Sequence, residues 1–336
     1  MPHPAIHTES LRRTFKARRE KKSPRGPRPD FIALDGITLE VRTGELFGLL
    51  GSNGAGKTTL LRILTTLLAP SSGTAHVDGL DVTRDFQAIR ERINMVSGGE
   101  TSGYGILTVR ENLWLFAQLY GVPSKQALSR IDHMLEVVGL SEKSNTRISH
   151  LSTGQRQKMN FCRGFITNPK ILFLDEPTLG LDVNAARTIR RFLRSWMAEQ
   201  PDRTLVLTTH YMMEADELCD RIAVIDRGRV LACDTPAALK RRVQEFPTYE
   251  MHVSAASNGW HDLEKLPGVQ HCARKETPDA VSLTVALNEE RAVGAVVQQI
   301  VQGGSHILSL KKIEPTLEDA FIELVGHGLE TVEVEA

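Results

Sequence analysis

One stretch limits the fold more than any other. The apolar run ELFGLL is followed by the loop GSNGAGKTT, and the chain then continues as KTTLLRILTTLLAP. The loop satisfies G-x-x-x-x-G-K-[ST] in full, with a strand candidate before it and a helix candidate after it, which makes it a phosphate-binding loop. Gly51, Gly54 and Gly56 allow a tight turn that aims backbone N–H groups inward, at the positive end of the following helix. Ser52, Asn53, Ala55 and Thr59 complete this cradle. Lys57 is expected to reach the β- and γ-phosphates of a nucleoside triphosphate, and the Thr58 hydroxyl to ligate Mg²⁺.

Two further apolar runs, KILFLD and TLVLTT, do not alternate apolar with polar residues. Strands buried on both faces of a helix-covered parallel sheet read this way, so the fold class is α/β. In such sheets ligands bind at the carboxyl ends of the strands. ILFLD ends in Asp175 and Glu176. Successive strand side chains point opposite ways, so one carboxylate faces the metal while the other faces elsewhere. Asp175 is expected to hold Mg²⁺ through water and Glu176 to act as general base on the attacking water. His210 closes TLVLTTH at the same edge, where it would hydrogen-bond the γ-phosphate and hold Glu176 in line. Phe15, upstream of the glycine loop, either stacks on adenine or is a core ring.

The remaining segments divide the chain. IHTESLRRTF and FIALDGITLEV read as strands, with the alternation in ITLEV giving one wet face. Residues from Arg90 to Asn160 read as mostly helical, and Ile131, Met134, Leu135 and Val138 lie at the spacing of one core face. RIAVID reads as the last strand of a first domain that spans 5–240, with a helical subdomain at about 90–160. From 248 to 326 the order TYEMHVSA, WHDLEKL, VQHCARKE, AVSLTVAL, RAVGAVVQQIVQ, HILSLKKI reads β-α-β-β-α-β, the ferredoxin-like split unit. The amphipathic LEDAFIELV follows it. At 336 residues, two domains are the prior.

Formal net charge is zero, which argues against bulk attraction to nucleic acid. Charge is local instead. Lys16 to Arg28 carries seven basic residues and one acidic, either a solvated insertion or a contact for anionic lipid headgroups. Cys162, Cys219, Cys233 and Cys272 lack metal-ligand spacing and read as buried small hydrophobes, which suits the cytosol. No apolar run approaches the ~20 residues needed to cross a bilayer. Work at a membrane would therefore go through a partner.

A second small-residue turn, LSTGQ, opens another helix at Leu151–Gln155. It has the form of an N-cap, and the same geometry forms an anion site. GSNGAGKTT, LSTGQ, LFLDEPTLGLD and LTTH, in that order, resemble the nucleotide-binding subunit of ATP-binding cassette (ABC) transporters over residues 5 to 240. The resemblance implies a P-loop ATPase cassette: a RecA-like core with antiparallel β and helical subdomains, here followed by the small α+β domain. It further implies that two subunits pack head to tail, each signature turn capping the ATP held by the other through Ser152, Gly154 and Gln155, with Asp182 at the same interface. Its other partner would be an integral membrane permease, which places the chain at the cytoplasmic face of the membrane. The tail resembles that of type-2 exporters of the daunorubicin-resistance subfamily, so export is expected. An uptake-type ATPase and a soluble ABC ATPase not coupled to transport are the alternatives.

Two departures from the family pattern stand out. Thr153 occupies a position that more often holds Gly. The family's Mg²⁺-contacting Gln falls, by two ways of counting, on Gly98 or Gly99, with Glu100 beside them as a possible stand-in.

Overall fold

The computed structural model describes residues 3–16, 30–97, 103–243, 246–254, 260, 262–276 and 280–326. Most of the basic stretch from Lys16 to Arg28, the position of the family's Gln at Gly98, Gly99 and Glu100, and the acidic end of the chain lie outside them. Of the described residues, those up to 236 together with 324–326 form one compact unit, and 237–323 form another.

In chain order the first unit contains β1 (Ile6–Phe15), β2 (Phe31–Val41), β3 (Leu46–Leu50), α1 (Lys57–Leu64), β4 (Ser72–Val77), β5 (Leu80–Asp81), α2 (Phe86–Arg90) and β6 (Ile93–Ser97). These are followed by α3 (Val109–Leu119), α4 (Ser124–Val137), α5 (Thr153–Ile166), β7 (Ile171–Asp175), α6 (Val183–Glu199), β8 (Thr204–Thr209), α7 (Met212–Leu218), β9 (Arg221–Asp226) and β10 (Arg229–Asp234). The helix α8 (Pro236–Val243) begins at the boundary.

Two sheets organise this unit. The smaller is antiparallel, in the order β2-β1-β4-β5. In β2 the residues Ile37, Leu39 and Val41 are buried while Thr38 and Glu40 are exposed, which is the alternation of a one-sided strand. The larger runs β10-β9-β3-β8-β7-β6, parallel throughout except for the β9–β10 hairpin. Every residue of β3, β7 and β8 is buried, as the absence of alternation requires. The order places β8 between the strand that feeds the glycine loop and the strand that ends in Asp175. Register then aligns the ends: Leu50 pairs with Thr209, and Asp175 with both Thr208 and Ser97.

Several boundaries differ from the sequence reading. The region from Arg90 does not begin as helix, because Ile93–Ser97 joins the parallel sheet; the helices start at Val109. RIAVID does not close the first unit, since β10 pairs back on it. The helix α1 stops at Leu64, beyond which Thr66 takes a left-handed φ of 61°. On α4 the expected face is buried, with Ile131, Met134, Leu135 and Val138 all under a tenth exposed.

The second unit contains β11 (Thr248–Ser254), β12 (Val269–Glu276), β13 (Ala280–Leu287), α9 (Val293–Gln302), β14 (Ile307–Ile313) and most of α10 (Leu317–Val325). Its antiparallel order β12-β13-β11-β14 is the ferredoxin-like one. The described part of WHDLEKL forms a 3₁₀ turn at Leu263–Lys265 in place of the expected α-helix. The core is Met251, Val253, Leu263, Leu283, Val285, Val296 and Ile300 with Trp260. Cys162 and Cys219 are buried, and burial pushes both thiols far up. Cys233 and Cys272 are only half-buried, so the reading as buried small hydrophobes holds for two of the four.

Candidate functional site

The glycine loop is shaped by its surroundings. At Gly56 φ is +107°, and an added Cβ would lie 2.6 Å from the Ala33 carbonyl oxygen. At Gly51 a Cβ would lie 2.3 Å from the Ile225 carbonyl oxygen. Neither contact can be relieved by moving a side-chain end, because both oxygens are backbone. The loop is also pinned from outside: Gly228 N–H donates to the Ala55 carbonyl at 2.9 Å. Gly56→Ala is expected to destabilise the fold by about 1–3 kcal/mol through strain at this φ and the carbonyl clash, read as a lower denaturant midpoint in urea unfolding. Asn53 and Gly54 form the exposed crown, and Ser52, Ala55 and Lys57 are buried.

Lys57 sits inside this turn. Its Nζ donates to the carbonyls of Gly51 at 2.7 Å and Ser52 at 3.1 Å. Burial lowers its pKa from the ordinary lysine value, while the charges of Glu176 and Asp175 pull it back up. A buried ammonium held, among the described residues, by two carbonyls and facing two carboxylates from a distance suits an anion arriving in front of it. The start of α1 agrees, because Gly56 supplies no side-chain cap and leaves the first-turn N–H groups to an external acceptor.

Asp175 is 7% exposed, and both of its oxygens are occupied. Thr58 Oγ1 donates to Oδ2 at 2.9 Å, and Thr208 Oγ1 donates to Oδ1. Thr58 and Asp175 come from different elements, and their adjacency gives an all-oxygen pair of the kind that Mg²⁺ takes with substrate phosphates. Thr208 was not singled out by the sequence. Its signal was two hydroxyl residues ending an otherwise apolar strand, a cost unless they have partners.

Glu176 departs from the strand-alternation argument. The strand β7 ends at Asp175, and Glu176 has a left-handed φ of +52°. That turn, not pleating, separates the two carboxylates. The conformation costs about 1–3 kcal/mol and is held by the structure around it. Glu176 N–H lies against the Thr208 carbonyl at 3.0 Å and its hydroxyl at 3.2 Å. The Glu176 Oε1 then lies 3.2 Å from His210 Nδ1, with both side chains partly exposed. Lys57, Thr58, Asp175, Glu176 and His210 thus gather at one sheet edge.

The signature turn is built differently. Ser152 caps α5: Gln155 N–H donates to its Oγ at 3.3 Å, and Ser152 N–H donates to Gln155 Oε1 at 3.0 Å, a complete capping box. Gln155 is therefore committed to its own helix. Ser152 and Thr153 are exposed. A Cβ on Gly154 would meet only the Gly180 carbonyl oxygen at 3.8 Å, an ordinary contact, so the interior of the chain does not demand glycine there. Asp182 caps α6 through Ala185 N–H at 2.8 Å, and that bond holds its carboxyl below the usual range. Phe15 is 38% exposed, with the Arg13 guanidinium 4.6 Å above its ring, so it is not a core residue. Its cross-strand partner Phe31 is 59% exposed.

A parallel sheet with a glycine loop on one strand and a carboxylate pair two strands away defines a P-loop nucleoside triphosphatase. An ABC transporter family model matches residues 34–179. A daunorubicin resistance ATP-binding protein from Streptomyces coeruleorubidus is 34% identical over 90% of this chain and 93% of its own length. The Nod factor export ATP-binding protein I of Mesorhizobium japonicum is 38% identical over 89% of this chain and 84% of its own. Among solved structures, the ATP-binding subunit of an ABC transporter superposes with a TM-score of 0.60 at 25% identity, over 71% of this chain and 92% of the other. The chain belongs to the ABC transporter family, as its ATP-binding, ATP-hydrolysing subunit. Its nucleotide is ATP with Mg²⁺. Among the described residues no helix is long and apolar enough to cross a membrane.

Proposed function

We propose that the chain hydrolyses Mg-ATP as a head-to-tail dimer of itself and that closure and reopening of the dimer drive export through a separate permease at the cytoplasmic face of the membrane. The gathering of Lys57, Thr58, Asp175, Glu176 and His210 at one sheet edge carries this reading. The relatives, a daunorubicin resistance ATP-binding protein and a Nod factor export ATP-binding protein, support the direction of transport.

The loop N–H groups and Lys57 bind the triphosphate, with Lys57 exchanging the Gly51 and Ser52 carbonyls for phosphate oxygens. Phe15, exposed and upstream of the loop, stacks on the base. Thr58 and Asp175 hold Mg²⁺, which when bound neutralises phosphate charge. Glu176 accepts the proton of the attacking water. His210 holds Glu176 through Nδ1, and its Nε2 is left to face a γ-phosphoryl oxygen. Ser152, exposed, and Gly154, partly exposed and with room for a Cβ, cap the partner's phosphate, and Asp182 lies beside them. The nucleotide does work because it contacts both subunits only in the closed state.

Gly154→Asp tests the division between the two half-sites. ATP binding by the isolated subunit is expected to stay within about threefold of wild type, because the change lies outside the P-loop. Hydrolysis is expected to fall by about 100-fold or more, because a carboxylate meets the partner's γ-phosphate and one such misplaced charge removes electrostatic stabilisation of that order. Calorimetric ATP binding and phosphate release, measured on one preparation, check both. Loss of binding by the single subunit would count against the dimer.

A further inference from the structure

Glu214 is the most buried carboxyl group among the described residues. It lies on α7, four residues after His210, and is 2% exposed. Thr178 Oγ1, itself buried, donates to its Oε1 at 3.0 Å. Among the described residues its Oε2 makes no hydrogen bond of good geometry, and the Thr209 hydroxyl is the other neutral group that favours its charged form. A buried carboxyl is costly and needs a reason.

The reason lies in what the contact joins. Thr178 is two residues beyond Glu176, and the Thr178 carbonyl accepts from Leu181 N–H at 3.1 Å, in the turn that leads to Asp182. On the other side, Glu214 N–H donates to the Tyr211 carbonyl at 3.1 Å, and Tyr211 N–H donates to Thr209 Oγ1 at 2.9 Å, at the end of β8. These contacts close a ring. Glu176 leads along the chain to Thr178, Thr178 bonds Glu214, the first turn of α7 leads back to His210, and His210 returns to Glu176 at 3.2 Å. The Thr178–Glu214 bond is the strut opposite the His210–Glu176 contact.

We propose that Glu214 is a positioning residue: through the Thr178 hydroxyl it fixes the separation of Glu176 and His210 and ties both to the turn that carries Asp182. The proposal rests on the roles given above to Glu176 and His210. Burial is the first cause of a raised pKa at Glu214, opposed by the hydroxyls of Thr209 and Thr178 and by the charges of Arg190 and His210. The role does not depend on the charge, because a carboxyl group accepts at an oxygen in either form.

The test uses the full chain with Mg-ATP. Glu214→Ala is expected to lower kcat by about 10–100-fold, the cost of loosening a catalytic pair by a fraction of an ångström to an ångström, with the Kd for ATP within about threefold. Thr178→Val is expected to lower kcat in the same way, Thr178→Ser to restore most of the rate, and the Thr178→Val/Glu214→Ala double variant to be no worse than Glu214→Ala, because the Thr178–Glu214 bond is already gone in that single variant. Glu214→Gln keeps an acceptor oxygen and is expected to stay closer to wild type than Glu214→Ala. Normal kcat in Glu214→Ala, additive losses in the double variant, or equal rates for Thr178→Val and Thr178→Ser would each overturn the proposal. The threonine pair also decides the matter if Glu214→Ala fails to fold. Glu176→Gln assayed alongside separates the two levels. If it is inactive while Glu214→Ala turns over normally, only the strut fails; if it turns over normally, the reading of Glu176 fails first.

Discussion

Glu176→Gln is expected to stop turnover and leave the protein as an ATP-loaded dimer. The amide has the size of the carboxylate and keeps an oxygen that can face His210, so the site retains its shape. What it loses is the ability to take a proton from water, worth about 10²–10⁴-fold in rate for a positioned general base. The change also removes one of the two carboxylates whose charge faces Lys57 and the incoming phosphates. ATP is therefore expected to bind at least as tightly as in the wild type. With hydrolysis blocked and binding intact, the closed state accumulates, because the nucleotide that joins the two copies is no longer consumed. Light scattering after gel filtration in Mg-ATP should show the dimer, and single-turnover assays should show ATP persisting. A variant that remains monomeric at saturating ATP would remove the shared-site reading, while one that hydrolyses at the wild-type rate would remove Glu176 as the base. The positive φ of +52° matters here as well. It is held by Thr208 backbone and side-chain contacts that the substitution leaves alone, so the variant should unfold at nearly the wild-type denaturant concentration.

The parts of this site that local pattern determines were legible in the sequence. The loop at Gly51–Thr59 is read from residue types at fixed spacing, and its glycines are demanded by backbone oxygens that lie close by. The buried strands β7 and β8 are read from an absence of alternation, because only burial on both faces tolerates it. The cap on α5 is read from Ser152 and Gln155, three apart, which is the capping-box spacing. β13 and α10 coincide with AVSLTVAL and LEDAFIELV, where the periodicities are clean.

What was not legible depends on contacts distant in sequence. Thr208 becomes a partner of Asp175 only through the register of β7 with β8, and no local rule fixes that register. Glu214 looks like a solvated residue on a short helix until Thr178, 36 positions away, is placed against it. Glu176 was assigned by strand pleating, yet the backbone leaves the strand one residue earlier; left-handed glutamate is a tertiary imposition that propensity does not foresee. β6 was absorbed into a helical reading because an isolated five-residue run, INMVS, takes its state from the sheet edge it joins.

Lys57→Ala is expected to lose tight ATP binding. The ammonium makes charge-assisted bonds that a methyl group cannot replace, and each hydrogen bond to a charged group contributes about 1.5–3 kcal/mol, roughly 10- to 150-fold in Kd. The variant should fold, since what it loses in the free protein is two bonds to the Gly51 and Ser52 carbonyls, and it also sheds the cost of a buried charge. The pH dependence gives an independent check on the same residue. Burial holds the pKa of free Lys57 below its ordinary 10.5, so between that lowered value and 10.5 the unfolded chain binds more protons than the folded one. Stability contributed through this group therefore rises with pH in that window. ATP acts in the opposite sense. Phosphate charge favours the ammonium and raises its pKa, so binding takes up a proton, and affinity falls as the pH rises through the free-state value. Calorimetry in alkaline buffers of differing ionisation enthalpy should detect proton uptake in the wild type and a smaller uptake in Lys57→Ala. Identical uptake in both proteins would mean that the ammonium does not meet the triphosphate, and the P-loop assignment would have to be rebuilt around the backbone N–H groups alone.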